Sequence, residues 1–326
     1  MPNETALQPM VMMIAGPTAS GKSALAAAVA AQWGGTVINA DSMQVYRELS
    51  LLTARPGAAE LVAPPHRLYG VLPGAEACSA GRWRAMAVAE VEAALASGRL
   101  PILVGGTGLY LKVFEEGLNE IPEVPEALRA TARAELKDMG RAAFHARLAA
   151  RDPVMAGRLR PGDSQRVLRA WEVLLATGRS LADWQAMPAM PAPYRFAKLC
   201  LLPPRQALYA DCDRRLAAMV GPAGDGGALA EVAALLALRL DPALPVMKAV
   251  GVPELAAHLA GEADLEEALA RAQQATRRYA KRQVTWLRHQ FVGNDPTVMV
   301  METQYSESQR LDFFAKIRQN LLTDPG

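Results

Sequence analysis

Residues 10–31 read MVMMIAGPTASGKSALAAAVAA, and this stretch decides the fold. An apolar run at 11–14 is typical of a buried strand, and an alanine-rich helical segment follows the break at Gly16-Pro17. The turn between them has the spacing G-x-x-x-x-G-K-S/T of a phosphate-binding loop (P-loop), in which backbone N–H groups curl around phosphate oxygens. Lys22 is expected to reach the outer phosphate, and the Ser23 hydroxyl is a candidate ligand for Mg²⁺. The residues expected to bind a phosphate or diphosphate are Gly16, Thr18, Ala19, Ser20, Gly21, Lys22 and Ser23.

The composition is that of an ordinary globular protein, with 326 residues, 51% of them hydrophobic and 21% charged. The N-terminal sequence MPNETALQP has no basic region followed by an apolar one, which argues against a signal peptide. No apolar run approaches the ~20 residues of a membrane span. We therefore expect a cytoplasmic protein without a membrane partner.

The charge is unevenly distributed along the chain. The formal net charge is +2, but residues 121–198 contain 13 basic and 8 acidic residues and carry +5. A basic segment within a mildly acidic chain is suited to binding nucleic acid. Solvated arginine-rich helices would give the same pattern, so charge alone leaves both interpretations open.

Strands and helices alternate in the first hundred residues. A strand at 36–40 ends at Asp41, a helix covers 82–96, and a strand at 100–104 runs into Gly105-Gly106-Thr107-Gly108. This order predicts an α/β fold, a P-loop NTPase-like parallel sheet flanked by helices. Ligands of such sheets bind beyond the carboxyl ends of the strands. We therefore expect the P-loop, Asp41 and Thr107 to form one site.

From residue 121 onward the pattern changes to arginine-rich helical segments bounded by prolines. One of them, 163–177, opens with Asp163 as an acidic N-cap, has an apolar face and closes at Gly178. The proline-rich stretch 187–193 then leads to a strand at 196–202. The predicted organisation is a core domain in two parts, 1–120 and 194–326, interrupted by an all-helical insertion at 121–193.

The second part of the core is predicted to contain two notable helices. Arg214 and Arg215 lie in the middle of a helix at 208–220, and a long helix covers 265–290. One face of the long helix, which includes Tyr279, Gln283 and Trp286, repeats every three or four residues and is expected to be core. The other face of its second half is basic, with no acid among its residues, and is either solvated or bound to nucleic acid. It includes Arg277, Lys281 and Arg282. For the tail after residue 303 we make no prediction.

Seven further motifs carry a resemblance. They are DSMQVYR at 41–47, TARP at 53–56, PHRLYG at 65–70, ILVGGTGLYLK at 102–112, QRVLRAWEV at 165–173, TGRSL at 177–181 and TRRYAKRQVTWLR at 276–288. Together with the P-loop they resemble the tRNA dimethylallyltransferase family (IPP transferases), in the same order, from about residue 12 to about residue 290. One departure is Gly251-Val252-Pro253, where the family usually has a tyrosine after the glycine.

The resemblance implies an activity and its partners. A dimethylallyl group would pass from dimethylallyl diphosphate to the N6 amine of adenine 37, in the anticodon stem-loop of tRNAs that read codons beginning with U. It also implies Mg²⁺, and a P-loop that holds the donor's diphosphate rather than ATP. A monomer is expected, because one chain supplies every part.

The resemblance also implies residue roles. Asp41 would be the general base for the N6 amine, although a structural, helix-capping aspartate remains an alternative. Thr107 would donate to the oxygen that bridges carbon and phosphorus, and Arg215 would contact the diphosphate, with Arg214 as the second candidate. The expected tRNA contacts are Asp41, Ser42, Met43, Gln44, Thr107, Arg129, Gln165, Arg166, Val167, Leu168 and Arg169, together with Arg277, Lys281 and Arg282 on the grounds of charge.

Two other classes of function fit parts of the sequence. A P-loop small-molecule kinase would bind ATP and could use Asp41 to activate a hydroxyl group. It would need neither the GGTGLY strand end nor the basic helix. A non-catalytic RNA-binding protein on a decayed nucleotide fold is the third possibility, and the intact Lys22, Ser23, Asp41 and Thr107 argue against it.

Overall fold

The computed structural model describes residues 8–119, 121–293 and 295–322; residues 321 and 322 are described by their backbone only. The chain forms two compact units. The first combines Met1–Glu115 with Ala192–Gly326, and the second is Glu116–Pro191. The bounds of the second unit differ by only a few residues from those of the predicted insertion, 121–193.

The first unit is built on a six-stranded parallel sheet with the order β3-β2-β4-β1-β5-β6. The predicted fold class is therefore confirmed. Four of the strands lie within about two residues of their predicted bounds, whereas the short β3 and β6 were not predicted. The strands are β1 (Met10–Ala15), β2 (Gly35–Asn39), β3 (His66–Arg67), β4 (Leu100–Gly105), β5 (Arg195–Leu201) and β6 (Val298–Met301).

Helices cover both faces of this sheet and also form the second unit. The predicted long helix ends earlier than expected, at Trp286, and continues as a π-helical turn over Leu287–Val292. The α-helices are α1 (Lys22–Trp33), α2 (Ala80–Ala96), α3 (Gly108–Glu116), α4 (Glu126–Arg151), α5 (Pro153–Gly157), α6 (Ser164–Thr177), α7 (Leu181–Gln185), α8 (Arg205–Val220), α9 (Ala228–Ala237), α10 (Val252–Leu259), α11 (Leu265–Trp286) and α12 (Arg310–Ile317).

The central strands are buried on both faces because their sequences are almost entirely apolar. On one face α1 and α12 contribute Leu25 and Phe313 to the core. On the other face Trp83 of α2 is fully buried and stacks on Tyr110, with ring centroids 4.4 Å apart. The Trp83 indole also donates to the carbonyl of Asn39 at 2.8 Å, which fixes the end of β2 just before Asp41.

The second unit has its own hydrophobic core. Phe144 of α4 packs edge-on against Trp171 of α6, and the predicted apolar face of α6 is buried. Gly178 ends α6, as predicted, and it does so in a left-handed conformation (φ 68°). The prediction for Asp163 was only half right: it occupies the N-cap position, but its side chain makes no capping hydrogen bond.

The departure at Gly251-Val252-Pro253 marks the start of a helix. Gly251 adopts a left-handed conformation (φ 96°), and α10 begins at the next residue. Pro253 occupies the first turn, where a missing N–H breaks no helical hydrogen bond. Val252 is buried, so this segment suits the core of the first unit.

Candidate functional site

The P-loop connects β1 to α1, as predicted. Gly21 takes a left-handed conformation (φ 82°) and is the N-cap of α1, which begins at Lys22. Ala19 also has a positive φ of 63°, which is uncommon for a residue other than glycine. This backbone turns the loop around the N-terminus of α1, where the helix dipole favours an anion.

Three side chains from distant parts of the chain hold this loop. Gln283 of α11 accepts a hydrogen bond from the backbone N–H of Thr18 at 2.8 Å, and Arg215 of α8 donates to the Thr18 hydroxyl. Gln304, which follows β6, donates to the carbonyl of Ala19 at 3.0 Å. The conformation of the P-loop therefore depends on residues that lie between 197 and 285 positions away in the chain.

Lys22 lies beside both an acid and a second cation. Its amine donates to the carbonyl of Pro17 at 3.2 Å. Its pKa is lowered to about 8, chiefly by burial; the charge of Asp41 opposes this shift, and the charge of Arg215 adds to it. These effects place Lys22, Arg215 and Asp41 close together at the P-loop. A diphosphate bound there would stabilise both cations.

Asp41 and Thr107 meet at the ends of neighbouring strands. The Thr107 hydroxyl accepts from the backbone N–H of Ser42 at 3.0 Å and donates to the Ser42 hydroxyl at 3.2 Å. One carboxylate oxygen of Asp41, Oδ1, accepts from the N–H of Met43 at 2.9 Å. Among the described residues the other oxygen has no hydrogen-bond partner, so Asp41 supports the local turn and keeps one oxygen available.

Two tyrosines near Asp41 were not singled out as site residues. Burial raises the pKa values of Tyr279 and Tyr69, and the negative charge of Asp41 raises both further. A hydrogen bond with Thr107 acts in the opposite direction on the Tyr279 hydroxyl. Tyr279 was assigned to the core face of the long helix, and other residues of that face, such as Gln283, are buried as expected, whereas Tyr279 is half-buried beside Asp41.

Gln283 is the clearest residue that sequence reasoning missed as part of the site. Besides holding Thr18, its amide donates to the carbonyl of Gly106 at 3.0 Å, and the side chain is buried. It therefore joins the end of β1 to the end of β4, directly before Thr107. A signal was present, because a glutamine on an inward-facing helix stripe must find polar partners.

Close packing also explains a glycine in this region. A Cβ added at Gly108 would lie 1.9 Å from the ring of Trp286. The indole of Trp286 thus covers the start of α3, immediately after Thr107.

The structure distinguishes the two arginines proposed for the diphosphate. Arg215 is directed at the P-loop, where it reaches Thr18. Arg214 is 74% exposed and forms an ion pair with Asp211. Arg215 is therefore the better candidate.

Arg277, on the basic face of α11, is paired with an acid of another helix. Its guanidinium donates to both oxygens of Asp213 of α8, at 2.6 and 2.7 Å. Lys281 and Arg282 are exposed, and the Arg282 guanidinium lies 5.7 Å from the centre of the Tyr279 ring.

The segment after β2 offers fewer side chains for RNA than expected. Ser42 and Met43 are half-buried, but the Gln44 side chain is only 8% exposed. Its amide donates to the carbonyls of Thr53 and Ala54 at 2.8 and 3.3 Å. Gln44 thus holds the following loop, and its side chain is not available for an RNA contact.

In the second unit, the expected RNA contacts are only partly exposed. Gln165 and Arg166 lie exposed in the first turn of α6, and Leu168 is half-buried. Arg169 lies 3.8 Å from Glu172, and Arg129 lies 4.0 Å from Glu126. The side chain of Val167 is 1% exposed and packs in the hydrophobic core, so that residue cannot contact RNA through its side chain.

The described part of the chain contains no helix long and apolar enough to cross a membrane. It also contains no group of three or more His, Cys, Asp or Glu residues that could hold a metal.

Comparisons with known proteins place this geometry in a family. The family model for IPP transferase matches residues 44–290. The tRNA dimethylallyltransferase of Paramagnetospirillum magneticum is 58% identical over 96% of this chain and 98% of its own length. The crystal structure of the tRNA isopentenylpyrophosphate transferase of Bacillus halodurans is 30% identical, with a TM-score of 0.66 and coverage of 96% and 98%. A eukaryotic dimethylallyltransferase acting on tRNA is 26% identical, with a TM-score of 0.79 and coverage of 94% and 78%. The chain belongs to the IPP transferase family.

Proposed function

We propose that the protein transfers a dimethylallyl group from dimethylallyl diphosphate to the N6 amine of adenine 37 in tRNAs that read codons beginning with U. The observation that carries this proposal is the convergence of Lys22, Asp41 and Thr107 at the ends of β1, β2 and β4. One site then contains positive charge for a leaving diphosphate, a hydroxyl group that can donate a hydrogen bond, and a carboxylate oxygen that can accept a proton. The tRNA dimethylallyltransferase relatives support the choice of donor and acceptor.

The reaction forms a bond between N6 and the allylic carbon and breaks the bond from that carbon to oxygen. The electron pair of the broken bond leaves with the diphosphate, whose growing charge Lys22, Arg215 and the P-loop N–H groups stabilise. The Thr107 hydroxyl rotates from Ser42 to donate to the bridging oxygen. The available oxygen of Asp41 accepts the proton that N6 loses.

Magnesium fits the residues present as a partner of the diphosphate. The Ser23 hydroxyl lies in the first turn of α1 and has no hydrogen-bond partner among the residues that the structure describes. Magnesium commonly binds proteins through one or two oxygens and takes other ligands from substrate phosphates and water. Ser23 would hold Mg²⁺ in this way, and the ion would supply further positive charge for the leaving group.

The acceptor is a base in an RNA loop, and single-stranded loops are the usual targets of specific RNA recognition. Adenine 37 must leave its stack to bring N6 to Asp41. In the first unit, Ser42, Met43, Lys281 and Arg282 are suited to contact the RNA. In the second unit, Gln165, Arg166, Leu168, Arg169 and Arg129 remain candidates. We place the enzyme in the cytoplasm, with its tRNA substrates, and as a monomer.

The experiment is a transfer assay with radiolabelled dimethylallyl diphosphate, Mg²⁺ and an unmodified tRNA transcript that reads codons beginning with U. Asp41→Asn and Thr107→Val keep the size of the side chains and are compared with wild type. Labelled ATP and candidate small acceptors are run in parallel. Label in the tRNA that is lost in both variants supports the donor, the acceptor and both roles.

Other outcomes would overturn the proposal. ATP turnover without transfer to tRNA would favour the small-molecule kinase. RNA binding without either reaction would favour a binding protein. Transfer at the wild-type rate by Asp41→Asn would leave the activity standing and remove Asp41 as the base.

A further inference from the structure

A groove of about 200 Å³ lies on the first unit, between the start of α8 and the second half of α11, and its lining residue Leu208 belongs to a hydrophobic cluster that Ala19 of the P-loop also joins. Leu208 and Val284 form its apolar floor, and Pro203 closes the end next to β5. The remaining lining side chains include one aromatic ring and three cations, namely Tyr209, Arg205, Lys281 and Arg288. No residue lining the groove is acidic.

The three cations differ from others on the same helices. Arg277 and Arg271 of α11 form ion pairs with Asp213 and Glu267. Arg214 of α8 pairs with Asp211. By contrast, within 8–119, 121–293 and 295–322 none of the three groove cations forms an ion pair. Arg278 and Arg282 of α11 and Arg215 of α8 also form no ion pair within those ranges, so the groove is one of the places where these helices leave positive charge uncompensated. With three cations and no acid in its lining, the groove favours an anionic ligand.

The groove also offers a surface for stacking. The guanidinium of Arg205 lies over the ring of Tyr209, 5.0 Å from its centre. Unstacked bases commonly pack against aromatic rings and against the planes of arginine guanidinium groups. An inorganic anion would use only the cations, whereas a nucleotide uses the cations and this stacked pair.

A second, more open cavity of about 480 Å³ extends the groove toward the reaction site. It shares Lys281 and Thr285 with the groove and is lined further by Arg278, Arg282 and Trp286. Trp286 packs on Gly108, the residue after Thr107. The two cavities therefore form a continuous basic strip along α11, from the neighbourhood of Thr107 to Arg205.

We propose that the groove formed by Arg205, Tyr209, Lys281 and Arg288 binds a phosphodiester and an unstacked base of the RNA strand next to the target adenine. This inference rests on the proposed function for the identity of the RNA. A strand that delivers its base at Thr107 continues along Lys281, where the second cavity leads directly into the groove. The groove then holds the strand while the target base is out of its stack.

Charge is tested with Arg205→Gln, Arg288→Gln and the double variant, using a fluorescently labelled, unmodified anticodon stem-loop without donor. The matched control is Arg271→Gln, which removes the same charge from the exposed surface of α11 outside the groove. The plot of log affinity against log KCl concentration should become shallower by about 0.7 for each lost phosphate contact. The slope of the control should equal that of wild type.

Stacking is tested at Tyr209 under the same conditions. Tyr209→Leu should weaken binding about tenfold, the range expected for loss of one stacked base, whereas Tyr209→Phe should bind like wild type. If Arg271→Gln flattens the slope as much as Arg205→Gln does, the effect is bulk charge and the groove proposal fails. Unchanged affinity and slope in all the groove variants would also overturn it.

The donor diphosphate is the other source of phosphate chemistry, so the KM for dimethylallyl diphosphate is measured in each variant. The proposal requires it to stay at the wild-type value, and a rise without loss of RNA affinity would assign the groove to the donor. Stem-loop affinity is measured without the transfer reaction, so the groove proposal and the proposed function are tested independently. If wild type binds the RNA but transfers no label, only the proposed function is overturned.

Discussion

The side-chain carbonyl of Gln283 accepts a hydrogen bond from the backbone N–H of Thr18 at 2.8 Å. The other end of the same amide reaches the carbonyl of Gly106 at 3.0 Å. One buried side chain thus sets the distance between the loop expected to hold the diphosphate and the strand end that carries Thr107. In the proposed reaction the loop binds the diphosphate while Thr107 donates to its bridging oxygen, so this distance bears directly on the rate.

We expect Gln283→Ala to reduce kcat/KM for the donor at least tenfold, because the N–H of Thr18 and the carbonyl of Gly106 lose their partner. An unsatisfied buried group costs about 1–3 kcal/mol. The matched control is Gln274→Ala, an exposed glutamine on the same helix, which should behave like wild type. Steady-state kinetics with varied donor measure the effect. Equal activity in both variants would show that the loop holds its shape without Gln283.

Donor binding should weaken at alkaline pH through Lys22. Its pKa in the free protein is lowered to about 8, chiefly by burial, and only the protonated amine attracts the diphosphate. As pH rises through 8 the amine of the free enzyme becomes neutral, so kcat/KM for the donor falls from that point upward. Arg at this position stays protonated, so Lys22→Arg should lack this fall even if its overall rate is lower. A decline of the same shape in both proteins would assign the titration to another group.

The cations of α11 should not contribute equally to RNA binding. Arg277 is held by both oxygens of Asp213, whereas Lys281 and Arg282 are exposed. We expect Lys281→Gln and Arg282→Gln each to reduce the salt dependence of tRNA affinity by about 0.7, and Arg277→Gln to change it far less. Filter binding across a KCl series gives the slopes. Three equal slopes would mean that the Asp213 pair opens when RNA binds.

Lys198 should stabilise the first unit. This residue of β5 is only 8% exposed, and it pairs with Glu115 and with Asp295, the latter at 2.7 Å. Lys198→Met leaves two partly exposed carboxylates facing each other and should lower the free energy of unfolding by about 2 kcal/mol in urea denaturation at pH 7. The control is Lys316→Met, in an exposed pair with Asp312, where we expect less than about 0.5 kcal/mol.

The same pair predicts a pH dependence. Burial alone would raise the pKa of Asp295, but hydrogen bonds from Lys198 and Thr297 outweigh it and hold the pKa at about 2. Asp295 is therefore ionised in the folded protein at pH values where the unfolded chain already takes up a proton. Its stabilisation is complete above about pH 4 and is lost as pH falls toward 2. The difference in free energy of unfolding between wild type and Lys198→Met should become smaller as pH falls from about 4 toward 2.

Much of the site could be predicted because local patterns specify it. The P-loop spacing, the apolar run of β1 and the polar residues after β2 and β4 each lie within one short stretch. Parallel-sheet topology then brings Asp41 and Thr107 together without further information. Gln283 and Gln304 could not be assigned in the same way, since their partners are 265 and 285 positions away in the chain. Nothing within either local segment indicates such contacts.

Burial explains the other differences. Val167 and Gln44 lie in motifs that resemble RNA-binding segments of the family, and both side chains point into the protein. A motif aligns whole segments, whereas exposure alternates residue by residue along a helix or turn. The ion pair of Arg277 could not be predicted for a related reason: Asp213 lies on another helix, so the sequence of the long helix itself does not indicate it.

The position of Gln304 near the end of the sequence determines when the P-loop can reach its final structure during synthesis. The ribosome completes the loop at 16–23 very early, yet the side chain that holds the carbonyl of Ala19 is added almost 300 residues later, just after the sequence of β6. Throughout most of its synthesis the nascent chain therefore has a P-loop without this hydrogen bond. The hydrogen bond from Gln304 to the carbonyl of Ala19 can therefore form only when the polypeptide is nearly complete.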